Sequence, residues 1–120
     1  MKDEKKLRKS IREVLYAVGF LFIYYDYPPV IWCRTYKINK AIGFLFDSER
    51  TTPYPRISVI LSKLGFRLEK KRDPRKFIIS LKKLDEASRK HLKISADELI
   101  ERVKNIIKIN KKVIRGWRLE

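Results

Sequence analysis

The stretch between Pro55 and Leu81 constrains the fold more than any other part of the chain. Pro55 suits the first turn of a helix, because its missing N–H has no helical partner there, and it disfavours helix at Tyr54. Gly65 suits the position just after a helix. Between them, large apolar residues recur at the spacing of a helix that buries one face. These residues are Ile57, Ile60, Leu61 and Leu64.

Two short runs of alternating character follow the glycine. Phe66 and Leu68 point to one face of an extended chain, and Phe77, Ile79 and Leu81 do the same in the second run. A period of two residues is typical of strands with one buried face. Residues 70–76, KKRDPRK, separate the runs, and their Asp-Pro pair marks a turn. The sequence therefore predicts a helix followed by a β-hairpin with a basic turn.

The first half of the chain predicts two further helices and a short strand. Asp3 can cap a first helix, whose stripe is Leu7, Ile11, Val14, Leu15 and Val18. Gly19 either ends or weakens this helix, and Pro28 and Pro29 stop any helix. Residues 30–33, VIWC, have the composition of a strand. Thr35 suits the N-cap of a second helix, with Ile38, Ala41, Ile42 and Leu45 facing inward.

The C-terminal third predicts one more helix after a polar connector. Residues 82–93 read as the connector, with some helix around 86–91. Ser95 and Glu98 form a capping box, in which each satisfies a backbone N–H of the other. The helical stripe behind it is Leu99, Ile100, Val103, Ile106 and Ile107. We expect residues 1–83 to form one domain and residues 84–120 to form a helical extension packed on it.

Charge is the main indication of function. Among 120 residues, 30 Lys and Arg against 14 Asp and Glu give a net charge of +16, and one domain is the natural expectation for this length. Residues 51–83 alone hold ten basic and two acidic residues, so half of the excess lies in the predicted helix and hairpin. Such a segment favours a polyanionic partner, either nucleic acid or an acidic membrane surface.

Several function classes are disfavoured. Cys33 is the lone cysteine, which excludes an internal disulfide and a Cys-rich zinc site and fits a reducing cytoplasm. The sequence lacks a glycine-rich phosphate loop, an H-E-x-x-H motif and a Cys–His pair, so we expect no enzyme and no cofactor. A metal-dependent nuclease built from scattered carboxylates stays open as an alternative. These carboxylates are Asp26, Asp47, Glu49 and Glu69.

The location and source are also predicted from composition. No secretory signal is present, and the apolar run from Val14 to Tyr25 is too short to span a membrane and is interrupted by Gly19. We therefore expect a cytoplasmic protein with no membrane partner. Glutamine is absent, asparagine is scarce, and Lys, Arg and Ile abound, a balance associated with thermophiles.

The order helix, strand, helix, turn, helix and two-stranded hairpin resembles the winged helix-turn-helix family over residues 3 to about 81. The best local match, RISVILSKLGFRLEKKRDPRKF, is similar to the recognition helices and wings of archaeal DNA-binding regulators and replication initiators. The resemblance implies an α+β fold with three helices, a short strand and a two-stranded wing, here with an additional C-terminal helix. It also implies a double-stranded DNA partner, a place on the nucleoid and a role in transcription regulation or DNA organisation.

The resemblance implies which residues contact DNA. The third helix would enter the major groove, where outward side chains reach base edges. The candidates on or beside it are Thr52, Tyr54, Arg56, Ser58, Val59, Ser62 and Lys63. The wing would add contacts to phosphates or to a minor groove, which strengthen binding without selecting sequence. Its candidates are Lys70, Lys71, Arg72, Arg75 and Lys76.

Other readings of the sequence stay open. The aromatic segment 20–36 is either core, a dimer contact, or a surface that stacks bases of RNA or single-stranded DNA. Leu99, Val103 and Ile106 form either core or the contact of a homodimer, which winged-helix proteins often build with a helix after the wing. A third possibility is a protein-interaction subunit of a replication or transcription complex, whose charge only assists association.

Overall fold

A computed structural model describes residues 2–46, 52–69 and 76–109. These residues form five helices and three strands. In chain order they are α1 (Lys2–Tyr24), β1 (Val30–Cys33), α2 (Thr35–Phe46), α3 (Tyr54–Lys63), β2 (Arg67–Glu69), β3 (Lys76–Ser80), α4 (Leu81–Leu92) and α5 (Ala96–Ile109). The predicted α+β class is confirmed in this coarse form.

The three strands form one antiparallel sheet in the order β1-β3-β2. Ile31 lies opposite Ile79, and Cys33 and Leu68 both lie opposite Phe77. The side chains of Ile31, Cys33, Phe77 and Ile79 are buried, so this face of the sheet covers the core. Because side chains alternate along a strand, the other face carries the row Trp32, Ile78 and Arg67.

Helix α1 runs through the centre of the core. Nearly every residue from Glu13 to Phe22 is buried, on all sides of the helix, because α2, α4 and α5 pack around it. Gly19 lies inside this helix rather than at its end, facing Leu99 and Val103 of α5. The apolar FLFIY segment that follows continues the helix to Tyr24.

Two predicted boundaries are wrong. Helix α3 begins at Tyr54, one residue before the expected start, because a proline in the first turn removes no helical hydrogen bond. Leu81 begins α4 instead of ending β3.

The predicted polar connector is a helix of twelve residues, α4. Ser80 caps it, since its Oγ accepts a hydrogen bond from the backbone N–H of Lys83 at 3.1 Å. The buried residues of α4 are Leu84, Ala87 and Ser88, and Leu81 and Leu92 pack partly buried against the same core. Sequence reading missed this stripe because it assigned Leu81 to the preceding strand and because the small and polar residues between the leucines interrupt the apolar pattern.

Candidate nucleic-acid interface

The outward face of α3 gathers five of the predicted DNA-contacting residues. Arg56, Ser62 and Lys63 are exposed, Ser58 is half-buried, and Val59 exposes 52% of its surface. The opposite face is buried in the core through the predicted stripe, which is Ile57, Ile60, Leu61 and Leu64. Burial of that stripe fixes how the helix is rotated, so its polar and basic side chains face solvent.

The end of α3 is fixed by backbone geometry. Gly65 has φ of +85°, in the left-handed region that favours glycine. Its N–H donates to the carbonyl of Ser62 at 3.0 Å, and the N–H of Phe66 donates to that of Leu61 at 3.1 Å. This pair of bonds is a Schellman motif, which satisfies the last carbonyls of a helix. The motif turns the chain directly from α3 into β2 and confirms the predicted role of Gly65.

The start of α3 is tied to α1 through a buried carboxylate. Glu13 is fully buried, and its Oε1 accepts hydrogen bonds from the backbone N–H of Thr52, at 2.9 Å, and from the Thr52 hydroxyl. Thr52 exposes only 2% of its surface. Its predicted contact with DNA is therefore wrong, because the hydroxyl is turned into the protein. The structure does not describe the side chain of Tyr54.

A groove with both polar and apolar walls lies between α3 and the sheet. It has a volume of about 370 Å³ and is lined by Thr35, Ser58, Val59, Ser62, Leu68 and Phe77. Its three hydroxyls come from the start of α2 and from α3. The first turn of α2 contains no acidic residue, so no local carboxylate offsets the positive end of the helix dipole. Hydroxyls beside such a helix end are suitable donors to a phosphate oxygen.

The hairpin carries two exposed cations on the outer face of the sheet, opposite the face that holds Leu68 and Phe77. Lys76, a predicted wing residue, begins β3 and is exposed. Lys70, Lys71, Arg72 and Arg75 lie outside the described residues. Arg67, at the start of β2, is also exposed and was missed by sequence reasoning. Arg67 lies between the apolar residues Phe66 and Leu68, and this alternation could have indicated that its side chain faces solvent.

The predicted dimer stripe lies in the core of a single chain. Leu99 and Val103 are fully buried, and Ile106 is partly buried against the same core. A side chain added at Gly19 of α1 would lie 3.5 Å from Val103 and 3.6 Å from Leu99. A dimer contact through Leu99 and Val103 is therefore wrong, because α1 already covers them. Sequence periodicity alone cannot distinguish a core stripe from a dimer stripe.

The aromatic segment divides into buried and exposed members. Phe20 and Phe22 are core residues, whereas Tyr24, Tyr25, Tyr27 and Trp32 are exposed. We call these four exposed residues the aromatic patch. It lies at the junction of α1 and β1, where Asp26 and Tyr27 have positive φ and reverse the chain. The segment is thus partly core and partly surface.

Among the described residues, the titratable side chains of Cys33 and His91 have shifted pKa values. Burial raises the pKa of the Cys33 thiol to about 12, against the opposing charge of Lys37, so the thiol is protonated at neutral pH. Partial burial and the charges of Lys90 and Lys93 lower the pKa of His91. Within residues 2–46, 52–69 and 76–109, no three His, Cys, Asp or Glu side chains are grouped so that they could hold a metal ion.

Comparisons with known proteins assign neither a family nor a function. No protein-family model matches the chain, and neither a curated protein nor a solved structure resembles it significantly. In the part of the chain that the structure describes, no helix combines the length and the apolar character needed to cross a bilayer.

Proposed function

We propose that the protein binds double-stranded DNA as a winged helix-turn-helix protein, with α3 in the major groove. The observation that carries this proposal is the exposed face of α3, which presents Arg56 and Lys63 and borders a groove lined in part by hydroxyl groups. The order helix, strand, helix, helix and hairpin supports it, since this is the order that the winged-helix resemblance implies. Helices α4 and α5 would then be additions to that fold.

The spacing along α3 suits a duplex. Arg56 and Lys63 are seven residues apart, which corresponds to roughly 10 Å along a helix axis. Phosphates of one DNA strand follow one another at about 3.4 Å along the duplex axis, so the two cations would span about three base pairs. Arg56 and Lys63 can donate to guanine O6 and N7 or hold phosphates, and Val59 between them can contact a thymine methyl.

The groove between α3 and the sheet would accept the sugar-phosphate backbone. With α3 in the major groove, the sugar-phosphate backbone of one DNA strand would lie between α3 and the hairpin. Thr35, Ser58 and Ser62 supply hydroxyl donors there, and the start of α2 adds a favourable dipole. Phosphate contacts of this kind fix orientation and leave sequence selection to α3. Arg67 and Lys76 lie on the outer face of the hairpin, so they do not line this groove.

A protein that binds duplex DNA in this way would serve as a transcription regulator or would organise DNA, on the nucleoid in the cytoplasm. A selective regulator requires base contacts by α3, whereas an architectural protein requires only the phosphate contacts. The two roles are separable, because base contacts change sequence preference and phosphate contacts change the affinity for all sequences alike.

The test compares two variants that lose the same charge. Arg56→Ala with Lys63→Ala removes two cations from α3, and Lys82→Ala with Lys90→Ala removes two exposed cations from α4. Duplex affinity would be measured over a salt series. The α3 variant should bind more weakly and reduce the slope of log affinity against log salt by about 2, because each phosphate contact contributes about 0.9. The α4 variant should keep its slope.

Equal losses in the two variants would show that binding follows net charge alone and would overturn the placement of α3. Selection from a random duplex library then distinguishes the two roles. If Arg56 reads a base, Arg56→Ala should relax the preference at one position of the selected site. An unchanged preference with reduced affinity would assign Arg56 to phosphate contact.

A further inference from the structure

The aromatic patch has the chemistry of a second binding site. Trp32 exposes 53% of its surface, on the solvent-facing side of the sheet. Among the described residues, no ring or cation lies against its indole. Large aromatic side chains that remain exposed in this way are commonly found at sites where a partner covers them. A free indole face is also the platform on which an unpaired base stacks.

A surface depression joins Trp32 to a cation. It has a volume of about 410 Å³ and is lined by Tyr25, Pro28, Val30, Ile31, Trp32 and Lys37. Its walls are largely apolar and aromatic, and its charged group is the ammonium of Lys37. An occupant that suits both features has a flat apolar ring and a negative charge close to it.

The ammonium of Lys37 is held in place on this surface. Its Nζ donates a hydrogen bond to the hydroxyl of Tyr25 at 3.2 Å and lies 5.7 Å from the centre of the Tyr25 ring. Burial opposes the charged form, but the hydrogen bond from Lys37 to Tyr25 helps to raise the pKa of Lys37, so the cation persists at neutral pH. An ammonium has three donors, so two remain for a ligand.

Neighbouring charges favour an anion at this surface. Arg34 lies over the ring of Tyr36, and Lys104 lies 5.7 Å from the centre of the Tyr27 ring. Lys104 also pairs with Glu101 at 3.4 Å, and Asp26 is an exposed carboxylate in the turn. Lys37 lines the depression, and Arg34 lies two residues after Trp32 in the chain. Cationic ligands are therefore disfavoured there, and a phosphate is favoured.

We propose that the aromatic patch binds an unpaired nucleotide of a single-stranded nucleic acid, with the base stacked on Trp32 and its phosphate held by Lys37. The site lies apart from α3, and it does not depend on the duplex-binding proposal. DNA and RNA share the base and the phosphate, so either strand satisfies this chemistry. The row Trp32, Ile78 and Arg67 continues across the outer face of the sheet, so the next nucleotides can follow it towards the hairpin.

The first test measures the binding of labelled oligothymidylate and oligouridylate by fluorescence anisotropy. Trp32→Leu removes the aromatic ring and should weaken binding at least about five-fold, the lower limit for loss of one stacked base. Trp32→Phe keeps a ring and should remain closer to the wild type than Trp32→Leu. Lys37→Met should weaken binding and reduce its salt dependence. Urea unfolding would verify that each variant folds. Because Trp32 is exposed, its replacement should not disturb the core.

The second test uses the indole itself as the reporter. The chain has two tryptophans, so Trp117→Phe leaves Trp32 as the single emitter. A stacked base should quench its fluorescence to saturation, whereas a blunt duplex of the same length should not. Tighter binding of oligothymidylate would identify a DNA strand as the ligand, and tighter binding of oligouridylate an RNA strand.

Three results would overturn the proposal. In the first, Trp32→Leu binds both oligomers as tightly as the wild type. In the second, Trp32→Leu and Trp32→Phe lose affinity equally, which excludes stacking on the ring. Trp32 emission could also change on dilution of the protein alone, which would show that a second copy covers the patch. Arg56→Ala with Lys63→Ala should leave single-strand binding intact, and Trp32→Leu should leave duplex binding intact. Failure of this site is therefore distinguishable from failure of the α3 interface.

Discussion

The contact between Glu13 and Thr52 shows how one side chain positions the start of α3. A carboxylate that is fully buried requires donors, because an unpaired charge in the core is costly. Thr52 provides two of them, through its backbone N–H and its hydroxyl. The segment that leads into α3 is thereby fixed to α1, the central helix of the core.

We expect Thr52→Val to lower the free energy of unfolding by about 1.5–3 kcal/mol, because the hydroxyl donates to a charged group. Urea unfolding at neutral pH would measure the loss. Ser62→Ala, which removes an exposed hydroxyl from the outward face of α3, is the matched control and should change stability by less than about 0.5 kcal/mol. A loss as small in Thr52→Val as in the control would show that the Glu13 carboxylate does not depend on this hydroxyl.

At the scale of the element, two glycines have opposite roles. Gly65 has positive φ, and nothing lies within 4 Å of a side chain added there, so Gly65→Ala would be disfavoured by the backbone alone. Gly19 lies inside α1, and a methyl group would make ordinary contacts of 3.5–3.7 Å with Val103 and Leu99. We expect Gly65→Ala to destabilise by about 1–2 kcal/mol and Gly19→Ala to stabilise by about 1 kcal/mol. The midpoint temperature of thermal unfolding should fall for Gly65→Ala and rise for Gly19→Ala. A lower midpoint temperature in both variants would show that α1 and α5 are too close to accommodate the methyl group.

The junction of α4 and α5 predicts a pH dependence. Asp85 Oδ1 accepts a hydrogen bond from the backbone N–H of Ala96 at 2.8 Å, and its Oδ2 pairs with Arg89 at 2.9 Å. The Ala96 N–H and then Arg89 lower the pKa of Asp85 below its ordinary 3.8. A lowered pKa in the folded state adds stability that is complete above pH about 4 and is lost as pH falls through the folded-state pKa.

We therefore expect Asp85→Ala to be less stable than the wild type by about 0.5–1 kcal/mol at neutral pH, as for the loss of a helix cap. The difference should shrink as pH falls below about 4, because protonation of Asp85 then removes the same stabilisation from the wild type. Urea unfolding over a pH series would measure it. A difference that is constant with pH would show that the charge of Asp85 contributes nothing.

The elements show where sequence reasoning succeeds and where it stops. Three features were predictable because each depends on local chemistry. Large apolar residues at helical spacing predicted α2, and the composition of residues 30–33 after the paired prolines predicted β1. Gly65 predicted the end of α3. The length of α4 was missed because Leu81 was assigned to the strand and because Ala87 and Ser88 interrupt the stripe of Leu81, Leu84 and Leu92. The burial of Thr52 could not be predicted, because its partner Glu13 lies 39 residues away in the chain. The outward face of α3 was predictable once its buried stripe was known.

At the scale of the whole molecule, α5 packs against α1, so the N-terminal and C-terminal helices share one core. Leu99→Ala should lower the free energy of unfolding by about 2–5 kcal/mol, the usual cost of a cavity in a core. Since Leu99 packs within its own chain, this loss should not change with protein concentration. Urea unfolding over a wide concentration range would measure it. A midpoint that rises with concentration in the wild type but not in the variant would place Leu99 in a contact between copies.

The net charge of +16 predicts two opposite responses to salt. Thirty cations on a chain of this length repel one another, and the repulsion favours the expanded unfolded state. The Debye length falls from about 30 Å at 0.01 M to about 10 Å at 0.1 M, so salt weakens this repulsion over distances comparable with the protein's radius. The same screening, together with counterion release, weakens the attraction to a nucleic acid. Stability should therefore rise with salt while affinity falls.

Urea unfolding and duplex binding would be measured over the same sodium chloride series, with urea chosen because guanidinium is itself a salt. The expected result is a midpoint that increases and an association constant that decreases. A polyanion added at low salt should also raise the midpoint, because it binds the folded state and screens its charge at once. If salt instead lowered the urea midpoint, ion pairs in the folded protein would contribute more to its stability than repulsion between its cations removes. The exposed pairs of α4 and α5, such as Arg89 with Asp85 and Arg102 with Glu98, would then outweigh the repulsion.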